Sequence, residues 1–190
     1  MTLTLLLVLI ITMKILIVND KKEEKFLRTK TADFDFAKFT KKEINDLIRK
    51  MKETMLQANG IGLSANQIGL NLKMFVALIP EKPLKRNEKN KIIMPSPDEA
   101  KFYAIFNPEI IKFSKQTEII EEGCLSVPGI HGEVERSLKI TITGFDKNGR
   151  KIKIKAEGLT ARVFQHEIDH LNGILFIDKI NKIYKITSKQ

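Results

Sequence analysis

The chain has 190 residues, 43% of them hydrophobic and 29% charged, a balance that suits one globular domain with a core of its own and no need of disulfides. Its single cysteine excludes an intramolecular disulfide and leaves three readings for Cys124: a small buried hydrophobe, a nucleophile or a metal ligand. Lys and Arg outnumber Asp and Glu by 33 to 23, a net charge of +10 that can steer toward a polyanion such as RNA, but the lysines are scattered and no specific nucleic-acid motif is present.

In chain order, residues 1–12 (MTLTLLLVLIIT) form an apolar run too short to span a bilayer, which takes roughly 20 residues, and they lack a basic start and a small-residue cleavage site. They read as an extension ahead of a start at Met13, or as a weak anchor. Residues 13–190 read as a single catalytic domain, with no firm membrane association. Residues 15–18 read as a strand ended by Asn19-Asp20. Over 35–59, Phe36, Phe39, Ile44, Leu47, Ile48, Met51 and Met55 recur mostly at threes and fours, the spacing of a helix. Thr40 and Glu43 make a capping-box pattern at its start, and Asn59-Gly60 stops it.

Gly60 to Gly69 (GIGLSANQIG) is too rich in glycine for a helix and reads as a shaped loop. A strand over 73–79 comes next, then an exposed proline-rich loop over 80–97. Short strands are expected at 104–106, 109–113 and 117–120. Alternating segments at 138–145 and 151–156 flank Asn148-Gly149, whose ease at positive φ predicts a tight hairpin. Residues 159–171 form a helix ended by Asn172-Gly173, and the next segment reads as a short strand or turn before a basic tail. The fold class is α+β: short antiparallel strands packed around a central helix that carries a His-Glu-x-x-His motif, with one N-terminal helix.

That motif, His166-Glu167-Ile168-Asp169-His170, places two of the three histidines on one face of the helix, where they can hold one divalent ion. Glu167 stands beside the first of them and can take a proton from a water that the ion has made acidic. Catalytic sites usually have three protein ligands and an open position. Asp178 is the acidic candidate downstream. Cys124 lies upstream in Glu122-Gly123-Cys124-Leu125-Ser126, and a thiolate suits a soft or borderline ion. Gly123 permits a close backbone approach.

Three segments in this order, GIGLSANQ at 60–67, EGCLS at 122–126 and QHEIDH at 165–170, resemble the three signature motifs of the peptide deformylase family. The similarity runs over about 13–177. The resemblance implies removal of the N-formyl group from the formylmethionine of nascent polypeptides, with release of formate. It implies one divalent metal ion, Fe(II) by family analogy, with Zn, Ni or Co as alternatives. Carried over residue by residue, Cys124, His166 and His170 bind the metal and Glu167 is the general acid/base. The side chain of Gln67 and the backbone N–H of Leu125 donate to the formyl oxygen. The peptide is expected to lie as an extended strand along Ile61 and Gly62. Ile61, Ile120, Leu125 and Phe164 line the methionine pocket or belong to the core. His131 borders the groove or is a plain loop histidine. Gly60 and Gly123 give structural support, and Glu122 with Arg136 forms an ion pair behind the site.

The sequence departs from the family pattern at Ser64 and Asn66, where Ala and a proline or small residue are usual. The 80–97 loop is longer than in most members. The long C-terminal helix that docks bacterial members on the ribosome is expected to be missing, and Lys179, Lys182, Lys185 and Lys189 are expected to supply a basic ribosome-facing surface instead. The expected setting is cytoplasmic. Two rival readings are a metalloendopeptidase using Asp178 and a binding protein with a structural metal. A closed structural site would want four protein ligands, against three found.

Overall fold

The protein is described by a computed structural model that places residues 13–80, 85–86, 92–93 and 99–185. The expectations for 1–12 and for most of the 80–97 loop fall outside the described residues, as do the side chains of Lys182, Lys185 and Lys189. Within that loop, β3 (Lys85–Arg86) and β4 (Ile92–Ile93) pair as a two-stranded ladder.

The chain enters without a strand at 15–18. Its backbone instead donates into the loops that carry the site, Leu16 N to Gln67 O at 2.7 Å and Val18 N to Ser126 O at 2.9 Å. Next comes a helix that hydrophobic periodicity does not show, α1 (Lys21–Leu27). Asp20 caps it by accepting from the N–H groups of Lys22 and Glu23. The foreseen N-terminal helix is α2 (Lys41–Gln57). Thr40 and Glu43 close its capping box reciprocally, and Ile44, Met51, Thr54 and Met55 are buried.

The glycine-rich loop contains β1 (Gly62–Ser64) and a 3-10 turn (Ala65–Ile68). With β2 (Met74–Pro80), β5 (Ala100–Phe113), β8 (Lys139–Phe145) and β9 (Lys151–Glu157), β1 builds an antiparallel sheet in the order β1-β2-β5-β8-β9. β5 runs unbroken where two short strands were expected. β2 is buried on both faces: Phe75, Ala77 and Ile79 point to one apolar cluster, Met74, Val76 and Leu78 to another. This is the period-two alternation of a central strand. Helix α3 (Gly158–Leu171) covers the first face with Ala161, Val163, Phe164, Ile168 and Leu171, and α2 covers the second with Met51 and Met55.

A second antiparallel sheet, ordered β10-β7-β6, is made of β6 (Thr117–Cys124), β7 (Val127–Ser137) and β10 (Ile180–Lys185). The basic tail thus adds a strand to β7 after a 3-10 turn at Phe176–Lys179. The helix with the His-Glu-x-x-His motif lies between the two sheets, as the α+β reading requires. Among the described residues, no helix is long and apolar enough to cross a membrane.

Candidate active site

Each functional side chain is aimed by a local feature of the chain. Cys124 ends β6, and a two-residue turn, Leu125-Ser126, leads into β7. Pairing jumps there from Gly123↔His131 to Cys124↔Val127, an irregularity that puts three extra residues, 128–130, on the β7 side next to the cysteine. His166 and His170 lie one turn apart on α3. Sγ of Cys124 is 3.1 Å from Nε2 of His170, and that nitrogen is 3.2 Å from Nε2 of His166. The three donor atoms all lie within 4.8 Å of one another.

This set fits a metal ion. Two imidazole nitrogens bound at about 2.0–2.1 Å to one tetrahedral ion would stand about 3.4 Å apart, close to the separation found here. The thiolate and two imidazoles suit a borderline divalent metal. Asp178, the downstream candidate, is elsewhere: its carboxylate holds Arg28 at 3.0 Å and receives the N–H of Leu175.

Behind the donors, Glu122 accepts from Nδ1 of His166 at 3.0 Å, which directs Nε2 toward the site. The same carboxylate receives Nε and Nη2 of Arg136, each at 3.0 Å, and Nη1 of Arg162 at 2.7 Å. Burial alone would raise its pKa, but the hydrogen bonds from His166 and Arg136 outweigh it and hold the group well below the ordinary carboxylate range. Arg136 also pairs with Asp169, which Lys179 reaches at 2.7 Å. Burial pulls on His166 too, yet its bonds to Cys124 and Glu122 push it up to about 10. His170, buried beside that charge, falls well below its usual value.

Glu167 is 3% exposed, and its Oε2 meets no hydrogen-bond partner among the described residues. Burial pushes its pKa up to about 7, where a carboxyl can both take and give a proton near neutrality. Gly62 makes room for it, since a Cβ at that position would stand 2.3 Å from Oε1 of Glu167. Gln67, in the 3-10 turn, has its Oε1 fixed by the N–H and hydroxyl of Ser64, each at 2.9 Å. Its amide Nε2 must then face the other way, 3.1 Å from Oγ of Ser126 and 3.5 Å from the sulfur.

Gly60 admits the Leu125 side chain, and Gly123 sits under the His131 ring, which pairs with Glu121. Ile61 packs half-buried on the α3 cluster, Phe164 is fully buried there against Tyr103 and Phe75, and Ile120 lies 42% exposed on β6. β1 and β6 are both edge strands. The residues missed from sequence are Ser64, Ser126 and Arg162. Only Arg162 left a signal: a charge at the i−4 position to His166, among apolar neighbours on a helix otherwise read as packing.

The family model for polypeptide deformylase matches residues 12–185. The chain belongs to the polypeptide deformylase family. It is 44% identical over 144 residues to the peptide deformylase of Halothermothrix orenii, covering 76% of this chain and 81% of that one. The enzyme of Roseiflexus castenholzii is 38% identical over 175 residues, 92% of this chain and 91% of the other. A class I type b peptide deformylase from Acinetobacter baumannii, crystallised with Met-Ala-Ser, superposes with a TM-score of 0.74 at 29% identity, over 90% of this chain and 99% of that one. As a peptide deformylase, the protein is a metal-dependent hydrolase that removes the N-formyl group from the N-terminal formylmethionine of nascent polypeptides and releases formate.

Proposed function

We propose that deformylation is carried out by the donor set of Cys124, His166 and His170 with Glu167, Gln67 and the N–H of Leu125 around it, in a single domain over 13–190. The observation that carries this reading is the convergence of one sulfur and two ring nitrogens beside a buried carboxyl, one oxygen of which has no partner among the described residues. Fe(II) is the proposed ion, with Zn, Ni or Co as alternatives. When bound, it supplies Lewis acidity, bringing the pKa of water from about 15.7 toward 7.

Glu167 takes the proton of the attacking water at its carboxylate and delivers it to the amine nitrogen as the C–N bond breaks. One water is thereby consumed, and formate and a free amino terminus leave. Nε2 of Gln67 and the Leu125 N–H donate to the formyl oxygen as negative charge grows there. The peptide lies along the free edge of β1 at Ile61 and Gly62, with β6 as the facing edge. The Met-Ala-Ser bound by the Acinetobacter enzyme supports a short peptide with an N-terminal methionine as the occupant. Ile61, Ile120, Leu125 and Phe164 surround the methionine side chain, Phe164 from within the core, and His131 borders the groove. In a cytoplasmic setting, Lys182, Lys185 and Lys189 are the proposed ribosome-facing charges. Lys179 contributes less, because it is tied to Asp169.

The test is Glu167→Gln. Formate release from formyl-Met-Ala-Ser should fall by about 10²–10⁴-fold while metal content stays that of the parent. Unchanged turnover would remove Glu167 from the reaction.

A further inference from the structure

The buried apolar residues of α3 all join the cluster on the five-stranded sheet. The buried apolar residues of the cysteine-bearing sheet, Val127 and Val134, form a separate cluster with Phe176 that has no buried member from α3. The distance between Cys124 and the histidines is therefore set by polar contacts. Gln165 exchanges two hydrogen bonds with the backbone of Ser137, and Arg136 reaches Asp169. The most extensive link is Arg162, only 7% exposed. Its Nη2 donates to the carbonyl of Glu118 on β6 at 2.7 Å, and its Nη1 to the carbonyl of Val134 on β7 at 3.0 Å and to Oε1 of Glu122 at 2.7 Å.

We propose that Arg162 is a positioning residue of the metal centre, holding the strand that carries Cys124 at the distance from α3 where the sulfur and the two imidazoles form one donor set. The planar guanidinium is suited to this, since it presents several donors in one rigid plane and stays charged when buried. It spans two strands and a carboxylate in a single contact. It also completes the occupancy of Glu122: Oε1 accepts from Arg136 and Arg162, Oε2 from Arg136 and His166. A carboxylate offers about four acceptor sites, so Glu122 is saturated and has no freedom to turn away from His166.

This inference rests on the donor set proposed above, and the experiment separates the two. Wild type, Arg162→Met, Arg162→Lys and Cys124→Ser are loaded with Co(II), their thiolate-to-cobalt absorption is recorded, and the ion is withdrawn by a competing chelator. Arg162→Met should hold cobalt about 10–100-fold more weakly, with weakened thiolate absorption. Arg162→Lys, which keeps the charge but not the planar fork, should fall between it and wild type. If Arg162→Met does not fold, Arg162→Lys alone carries the test. A residue that only stabilised the fold would lower the melting temperature and leave cobalt affinity within about twofold of wild type, with an unaltered spectrum. That result overturns the inference. If Cys124→Ser loses cobalt while the Arg162 variants do not, only the role of Arg162 fails. If Cys124→Ser also keeps it, the donor set itself is wrong.

Discussion

Toward the five-stranded sheet, α3 presents Ala161, Val163, Phe164, Ile168 and Leu171, which close a dry cluster with Phe75 and Ile142. Toward the three-stranded sheet it presents Arg162, Gln165, His166 and Asp169, and each meets residues of that sheet through hydrogen bonds or ion pairs. The first interface gains its energy from area and tolerates small shifts in direction. The second costs desolvation and gains little net stability, but it fixes distances. The proposed metal donors straddle the second interface, where a few tenths of an ångström decide whether three ligands meet.

The comparison can be broken from either side. Glu122→Ala strips the partner from two buried guanidiniums and should cost about 3–5 kcal/mol in urea unfolding, while chelator competition shows metal held about 10–100-fold more weakly. The native carboxyl sits below its ordinary pKa of 4.5, so its contribution is complete above that value and is lost as pH falls through the lower folded value. Stability of the variant should therefore vary less with acid than that of wild type. Phe75→Ala, on the dry side, should also cost about 3–5 kcal/mol, yet leave chelator resistance at the native level under folding conditions. A matching loss of metal in both variants would erase the distinction between the interfaces.

Smaller changes sharpen it. Gln67→Leu should lower kcat by about 10²–10³-fold with metal content intact. Gly62→Ala forces the Glu167 carboxylate aside, and a displacement near 1 Å costs about 10²-fold in rate, read as a fall in kcat with little change in melting temperature. Thr40→Ala, far from both interfaces, should cost about 1 kcal/mol and leave kinetics untouched.

The features legible in the sequence divide in the same way. The α2 capping box, the Asn148-Gly149 hairpin with Gly149 at φ +73°, and the α3 periodicity are local signals, and each stands as read. The cluster of Cys124, His166 and His170 was legible because few other side chains suit a borderline metal ion, and the fold brings their donor atoms together. β7 was not, since Pro128, Gly129 and Gly132 interrupt any alternation and its pairing comes from β6 and β10. Residues 15–18 have the composition of a strand but no neighbouring strand to pair with. Arg162 showed only as a charge among apolar neighbours, and its role was not legible because two of its three acceptors are backbone carbonyls, which every residue offers and no pattern of side chains reveals.

Gly62 has one consequence for selectivity. At the spot where β1 passes the proposed base, the chain has no side chain to offer. A peptide running alongside would be gripped there by amide groups common to all polypeptides. Such a contact is blind to the side chains beyond the first residue, as suits an enzyme that must serve the products of many different messages.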